Sequence, residues 1–270
     1  MLTRRTISTG LSMALLGGPA LARVPGAPAH PWPNGARAAV SLTYDDGLDS
    51  QLDNAAAPLA AAGLRATFFL TLANADARLA DWTALARSGG HEVGHHTVSH
   101  PCDLRPYTAA SFAQREIAPM QAWLDNNFGP NPDRLFAYPC SATNLGAGDA
   151  NRQLARYEAL LKASGFRGAR TCDEDAPNSP GYALADPYRL RASATTYDQD
   201  DPGLAVAYVR QAMKRGDWAI LVFHDIVKQR AGPGDTSIAT HQAVLDWLAA
   251  QPVWCAPMGQ VLGHIGGQVA

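Results

Sequence analysis

Short apolar runs alternate along most of the chain with longer stretches in which apolar residues recur at helical spacing. The runs predict buried strands, and the longer stretches predict helices. The predicted strands are residues 38–44, 65–72, 135–138, 166–170, 188–192, 218–223 and 253–255, with a further short segment at 91–93. The predicted helices are residues 52–63, 78–88, 109–127, 149–164, 204–214 and 238–250. Alternation of strands with helices favours a parallel sheet or barrel.

The composition is that of a folded globular protein. The 270 residues are 47% hydrophobic and 17% charged, which is enough apolar material for a packed core. The 22 basic residues do not exceed the 24 acidic ones, so we expect no nucleic-acid partner. No apolar run reaches the roughly 18–20 residues of a membrane span. No glycine-rich nucleotide motif is present, and no linker divides the domain.

The first residues have the parts of a secretory signal. Arg4 and Arg5 precede an apolar stretch that ends in the small-x-small cleavage site Ala-Leu-Ala. The paired arginines resemble a twin-arginine signal, although the usual Phe-Leu-Lys is absent. A poorly formed first helix is the alternative, which the glycines and proline of this stretch weaken. We predict a signal peptide at residues 1–22, an extended leader at 23–37 and the folded domain at 38–270. The protein is therefore expected to be exported, periplasmic or secreted, without stable membrane insertion after the signal is removed.

In parallel α/β folds, functional residues gather at the carboxyl ends of strands. The first predicted strand runs into Asp45, Asp46 and Gly47. Adjacent side chains of a regular strand point to opposite faces, but Gly47 lets the backbone turn so that both acids can face one mouth. A simple acidic turn is the alternative, because Asp-Asp-Gly is also good turn sequence.

Four of the eight histidines lie within ten residues, at positions 91, 95, 96 and 100. His96 and His100 are four residues apart, and the β-branched residues and proline around them favour a compact loop over a helix. Either geometry can bring two imidazoles to one metal ion. A solvated histidine cluster is the alternative.

A third strand end places His224 after the buried run at residues 218–223. A single histidine at a strand end is often structural, but the three strand ends together have a coherent chemistry. Two histidines and one carboxylate are a common zinc-hydrolase set that leaves positions open for water and substrate. The other aspartate can act as the base, and a histidine can protonate the leaving group.

The ordered segments Thr-Tyr-Asp-Asp-Gly, His-Thr-Val-Ser-His, Phe-Ala-Tyr-Pro and Leu-Val-Phe-His-Asp closely resemble the motifs of the polysaccharide deacetylase (NodB-homology) family of metal-dependent carbohydrate esterases. The resemblance extends over nearly all of the chain after the leader. It implies a distorted (β/α) barrel with about seven parallel strands in a single domain. It also implies that Asp45 is the general base and His224 the general acid. Asp46, His96 and His100 would bind one divalent metal ion, commonly zinc, with cobalt or another divalent ion as the alternative.

Two positions depart from the family pattern. His95 stands where asparagine is common, and we expect it to neighbour the site rather than to bind the metal. Ala137 stands where many relatives carry an arginine that pairs with the base. We expect an arginine from another strand end to lie near Asp45 instead, Arg170 first and Arg191 second. A surface or loop-bracing role is the alternative for each arginine.

The third motif adds three candidates for supporting or substrate-binding roles, Tyr138, Pro139 and Cys140. Export makes the four cysteines candidates for disulfides, and three full connectivities are open. Cys102 follows the histidine segment and Cys140 ends the third motif, so we expect both to lie near the same mouth and to form a disulfide. Cys172 competes as a partner, because it also follows a strand directed at that mouth.

The leading hypothesis is an exported deacetylase that removes acetyl groups, N-acetyl groups above all, from amino-sugar oligo- or polysaccharides. An acetylated carbohydrate is then the partner. An O-acetyl esterase acting on xylan-like chains is the nearest alternative. A hydrolase of small carbon–nitrogen amide bonds on the same barrel is a second alternative. An inactive carbohydrate-binding protein would lack a base, a ligand or the acid, and all five of those positions are filled.

Overall fold

The computed structural model of the chain describes residues 31–172, 174 and 176–267. Its strands are β1 (Ala39–Asp46), β2 (Ala66–Leu70), β3 (Glu92–His95), β4 (Leu135–Ala137), β5 (Gly168–Arg170), β6 (Trp218–Phe223), β7 (Asp225–Val227), β8 (Asp235–Ser237) and β9 (Trp254–Cys255). Its α-helices are Ala56–Ala61, Leu72–Ala75, Leu79–Gly89, Ala109–Phe112, Ala118–Phe128, Ala150–Ala163, Pro180–Ala185, Thr195–Asp198, Pro202–Arg215, Ile238–Ala249 and Met258–Gly267. Short 3-10 turns occupy Pro33–Gly35, Asp76–Arg78 and Pro139–Ser141, and π-helical turns occupy Gln51–Ala55 and Ala113–Ile117.

Seven strands form one parallel sheet in the order β5-β4-β3-β2-β1-β6, with β9 pairing against the start of β1. Strands β7 and β8 form a separate pair. Two isolated parallel bridges, from Arg170 to Leu190 and from Ser193 to Leu221, connect the outer strands β5 and β6 through the segment between them. The sheet therefore curls into a distorted (β/α) barrel in a single domain, which confirms the predicted fold class.

Residues 188–192 do not form the strand that the pattern predicts. The Asn178 side chain donates to the Arg191 carbonyl at 2.8 Å and accepts from the Arg191 N–H at 2.9 Å. Asn178 is fully buried, so its amide occupies the backbone groups that a neighbouring strand would need. Pairing within residues 188–192 is limited to the single bridge at Leu190, and the next bridge follows at Ser193.

The central strands are buried on both faces, as expected for a parallel sheet that helices cover. Val40, Leu42 and Tyr44 of β1 pack in the cluster formed with the outer helices. Ala39 packs in the second cluster, on the opposite face of the sheet. Because side chains alternate along a strand, Asp45 shares the face of Ala39 and points into the barrel.

The predicted helices at residues 52–63 and 109–127 each contain a π-helical turn, which the sequence pattern did not predict. Such turns are frequent at functional sites, and they change which side chains face inward. Each turn here carries one buried polar residue, Gln51 and Glu116. Both of these residues contact the backbone of the site described below.

The helix Met258–Gly267 lies outside the predicted elements. Its four glycines lower its helix propensity. One of them, Gly259, packs directly against Glu92, where a larger residue would not fit. A Cβ at Gly259 would collide with Glu92 Oε1. The Gly259 N–H also donates to Glu92 Oε2 at 2.9 Å, which holds this helix against the start of β3.

Residues 31–37 pack against the domain. The Trp32 ring is 3% exposed, lies 6.2 Å from the Trp254 ring and donates from Nε1 to the Gly216 carbonyl at 3.0 Å. The predicted signal peptide and residues 23–30 of the predicted leader lie outside the described residues. No helix in the described part of the chain has the length and apolar character needed to cross a membrane.

Candidate active site

The carboxyl ends of the parallel strands meet at one mouth of the barrel, because parallel strands all run in the same direction. Polar side chains from several predicted site residues lie at this mouth. Asp45 and Asp46 end β1, His96 follows β3, Arg170 ends β5 and His224 follows β6.

Asp46, His96 and His100 converge on one point. Asp46 Oδ1 lies 3.5 Å from Nε2 of His96 and 3.5 Å from Nε2 of His100. The three potential ligand atoms all lie within 4.8 Å of one another. Atoms bound about 2.1 Å from a tetrahedral zinc are themselves about 3.4 Å apart, so the observed separations suit a shared metal ion.

The His96 ring is oriented for metal binding. Its Nδ1 donates to the Ala137 carbonyl at 2.9 Å, so its Nε2 carries a free lone pair that faces Asp46. This buried Nε2 has no hydrogen-bond partner among the described residues. Burial lowers the pKa of His96 to about 4 against the opposing effect of the two aspartates, so the ring is neutral at neutral pH. A neutral imidazole whose other nitrogen is held by a carbonyl fits a divalent metal.

Three residues around this point have positive φ angles, Asp46 at 75°, Thr97 at 72° and His100 at 56°. Such conformations cost roughly 1–3 kcal/mol each for residues other than glycine, and they cluster at functional sites. The turn expected at Gly47 therefore begins one residue earlier, at Asp46. This turn brings the carboxylate of Asp46 to the same mouth as that of Asp45.

Asp45 lies deeper in the mouth and forms an ion pair between its Oδ1 and Nη2 of Arg170. Both side chains are buried, and the guanidinium lies over the Phe69 ring, 4.9 Å from its centroid. Burial by itself raises the pKa of the Asp45 carboxyl, but Arg170, together with His96 and His224, outweighs it. The pKa of Asp45 therefore lies below its ordinary value, and the carboxylate is ionised at neutral pH.

Arg170 stands beside the position where the family pattern has an arginine and this chain has Ala137. The two residues are Cα partners in the pairing of β4 with β5. Arg191, the second candidate, lies elsewhere. Its Nε pairs with Glu174 Oε2 at 3.1 Å, and its guanidinium lies over the Tyr182 ring at 3.9 Å.

His224 lies beside Asp45 and is partly exposed at the mouth. Its Nε2 is 3.9 Å from Asp45 Oδ2, and its ring packs edge-on against Tyr197 with centroids 4.5 Å apart. The Gln51 amide donates to the backbone carbonyls of both Asp45 and His224. Gln51, Tyr197 and Glu116 are site neighbours that the sequence analysis missed. No feature of the sequence pattern identified these residues.

His95 neighbours the site without facing it. Its Nε2 donates to the Ile117 carbonyl at 3.1 Å, and its Nδ1 accepts from the Thr97 N–H at 3.1 Å. Burial lowers the pKa of His95 to about 3, so the ring is neutral. With both nitrogens bonded to the protein, the ring has no lone pair for a metal ion.

The third motif lies against the site through its backbone and its cysteine. Tyr138 is buried, and its hydroxyl donates to the Tyr188 carbonyl at 3.0 Å, so this side chain points into the core. Pro139 is also buried. Cys140 forms a disulfide with Cys102, as expected, and this bond connects the third motif to the loop after His100. The competing candidate Cys172 is a free thiol.

Comparisons with known proteins identify a family that this chain resembles. The polysaccharide deacetylase family model matches residues 33–158. No curated protein matches the chain significantly in sequence.

Solved structures share the fold at low sequence identity. A protein from Mycobacterium smegmatis assigned to the polysaccharide deacetylases is 19% identical, with a TM-score of 0.64 over 88% of this chain and 93% of its own. The peptidoglycan deacetylase PdaC from Bacillus subtilis is 19% identical, with a TM-score of 0.54 over 86% of this chain and 93% of its own. The Puue allantoinase is 16% identical, with a TM-score of 0.62 over 90% of this chain and 95% of its own.

The parallel barrel and the family match support a hydrolase of the polysaccharide deacetylase type. The match over residues 33–158 and the shared fold confirm the resemblance of this chain to the polysaccharide deacetylase family.

Proposed function

We propose that the protein is an exported, metal-dependent deacetylase that removes N-acetyl groups from amino-sugar oligo- or polysaccharides. The observation that carries the proposal is the convergence of Asp46, His96 and His100, with the unpartnered Nε2 of His96 facing the carboxylate. We assign these three residues as the ligands of one divalent metal ion, with zinc as the leading candidate. When bound, such an ion supplies Lewis-acid polarisation of the acyl carbonyl and acidifies the attacking water.

Asp45 and His224 are assigned the two proton transfers. Asp45, kept ionised by Arg170, accepts a proton from the attacking water as the new carbon–oxygen bond forms. Protonated His224 donates its proton to the departing nitrogen as the carbon–nitrogen bond breaks. One water molecule is consumed, and acetate and a free amine are released. The position of His224 Nε2, 3.9 Å from the Asp45 carboxylate, supports the pairing of base and acid around one reacting carbon.

A groove of about 530 Å³ is lined by Gly47 and Asp225, the chain neighbours of Asp46 and His224, and it can accommodate a carbohydrate substrate. Its lining includes Asp49, Ser50, Asn74 and Asp225, whose polar groups can bond to sugar hydroxyls. The likeness to PdaC, a peptidoglycan deacetylase, favours an N-acetylated sugar over an O-acetylated one.

The substrate class is tested by acetate release from chitooligosaccharides, peptidoglycan and acetylated xylan, with allantoin as a non-acetyl substrate. We expect the highest kcat/KM with an N-acetylated sugar, loss of activity on chelation and recovery with zinc or cobalt. His100→Ala should abolish release, whereas His264→Ala, a histidine change outside the site, should not. Preference for xylan would assign an O-acetyl esterase, and hydrolysis of allantoin alone would assign a small-amide hydrolase. Binding of sugar without any release would assign a carbohydrate-binding protein.

Export is the second part of the proposal. The arginine pair and apolar stretch of residues 1–22 support a signal peptide, and the Cys102–Cys140 disulfide suits an oxidising compartment. We expect the mature chain in the periplasm or medium, with its amino terminus near residue 23 by terminal sequencing. Replacing Arg4 and Arg5 by lysine should block export if the signal is of the twin-arginine type.

A further inference from the structure

The chain between His96 and His100 is a tight loop whose conformation requires hydrogen bonds from other elements of the fold. Thr97 and His100 both have positive φ angles, which residues with a side chain seldom adopt unaided. Within the loop, the His100 N–H donates to Thr97 Oγ1 at 3.0 Å. On one side, the Val98 carbonyl accepts from the Ala73 N–H at 3.0 Å. The N–H groups of Val98 and Ser99 bond to a different element.

Glu116 holds those N–H groups. Its Oε2 accepts from the N–H of Val98 at 3.1 Å and from the N–H of Ser99 at 3.0 Å. Its Oε1 accepts from the Ser99 hydroxyl at 2.8 Å and from the Tyr107 hydroxyl at 3.4 Å. Glu116 is 4% exposed, so water cannot readily replace these bonds. One carboxylate therefore fixes the two peptide N–H groups that immediately precede His100.

The π-helical turn Ala113–Ile117 brings this carboxylate to the loop. Next to Glu116, the Ile117 carbonyl accepts from Nε2 of His95. The same turn thus contacts the chain on both sides of His96. Among the described residues, no other carboxylate bonds to the N–H groups of residues 97–100.

We propose that Glu116 is a positioning residue for the metal site, which sets the backbone of residues 97–100 and so directs Nε2 of His100 toward Asp46. This inference rests on the proposed metal site. Groups that orient metal ligands typically account for roughly 10–100-fold in metal affinity or activity. Glu116 does not contact the imidazole, so its effect passes through the loop.

Glu92 provides a matched control within the same chain. It is also a glutamate that accepts a backbone N–H, from Gly259 at 2.9 Å, and a hydroxyl, from Thr67 at 2.7 Å. It lies at the opposite end of β3 from His96 and His100. Its removal should therefore lower stability without disturbing the site.

The test measures Co²⁺ binding to the metal-stripped protein by visible absorption, with folding followed by circular dichroism. We expect Glu116→Ala to weaken Co²⁺ binding by about tenfold or more. Glu116→Gln should bind nearly as the wild type, because its amide oxygen can accept both N–H groups while its NH₂ faces two hydroxyls that can accept. Glu92→Ala should lower Tm and leave Co²⁺ affinity unchanged.

Wild-type affinity in Glu116→Ala would overturn the inference, as would an equal loss of affinity in Glu92→Ala. If Glu116→Ala does not fold, Glu116→Asp withdraws the carboxylate by one methylene. Weaker Co²⁺ binding by folded Glu116→Asp supports the inference, and unchanged binding overturns it. Failure of the wild type to bind Co²⁺ at all would instead refute the proposed metal site.

Discussion

Replacing Arg170 by methionine removes the charge that offsets the burial of Asp45 and keeps an apolar side chain against Phe69. Burial raises the pKa of Asp45, and Arg170 is the strongest influence that lowers it. Loss of an opposite charge in direct contact should raise the pKa by about one to three units. Asp45 can serve as the proposed base only when ionised, so the acid limb of the kcat/KM profile should move to higher pH by about the same amount.

Arg170→Met should also destabilise the fold. A buried carboxylate that loses its partner typically costs about 3–5 kcal/mol. The lowered pKa of Asp45 contributes stability above the carboxyl's unfolded pKa, and this contribution disappears as pH falls through the folded value. The stability gap between wild type and variant should therefore narrow in acid. The double variant Arg170→Met/Asp45→Asn carries neither charge and should recover much of the lost stability but no turnover.

The assay is acetate release from a chitooligosaccharide between about pH 4 and 9, with each variant first shown to be folded. Arg134→Met is the matched control, because Arg134 is also buried and pairs with Asp125 at 2.6 Å outside the site. It should lower stability without moving the acid limb. An arginine introduced at Ala137 in the Arg170→Met background should move the limb back. An unmoved acid limb in folded Arg170→Met would refute the assigned role of Arg170.

Other changes separate the remaining roles. Asp45→Asn and His224→Ala should each lower turnover by about 10²-fold or more at unchanged zinc content, measured by elemental analysis, whereas metal loss in Asp45→Asn would exchange the roles of the two aspartates. Gln51→Leu removes the amide that bonds to the backbone carbonyls of Asp45 and His224, so kcat should fall while metal affinity stays constant. An unchanged kcat would remove Gln51 from the site. Burial lowers the pKa of His241 to about 4, so the unfolded chain takes up a proton first as pH falls below about 6.5 and unfolding becomes easier. Denaturant titrations at pH 7 and pH 4 give the free energy of unfolding that each protein loses in acid, and this loss should be smaller in His241→Gln by up to about 3 kcal/mol. An equal loss in wild type and variant would contradict the assignment.

The strands were predictable because buried parallel strands are nearly continuous apolar runs. Residues 38–44 and 218–223 correspond to β1 and β6 for this reason. Residues 188–192 were not predictable by the same rule. The buried side chain of Asn178 bonds to the backbone N–H and carbonyl of Arg191, which a neighbouring strand would otherwise pair with. Asn178 lies ten residues before this segment.

The location of the site followed from topology, since parallel strands bring their carboxyl ends to one mouth. This placed Asp45, His96 and Arg170 together, although they are far apart in sequence. Gln51 and Glu116 could not be found in this way. A polar residue in a helix is usually solvated, and helical periodicity gives no sign of the π turns that bury these two.

The central claim is that one metal ion held by Asp46, His96 and His100 is required for deacetylation. The most direct measurement is acetate release from a chitooligosaccharide as metal-stripped protein is titrated with Zn²⁺. We expect no release without zinc, a linear rise with added zinc and a break at one equivalent per chain. Full release by the stripped protein, or release that does not respond to zinc, cobalt or another divalent ion, would contradict the claim.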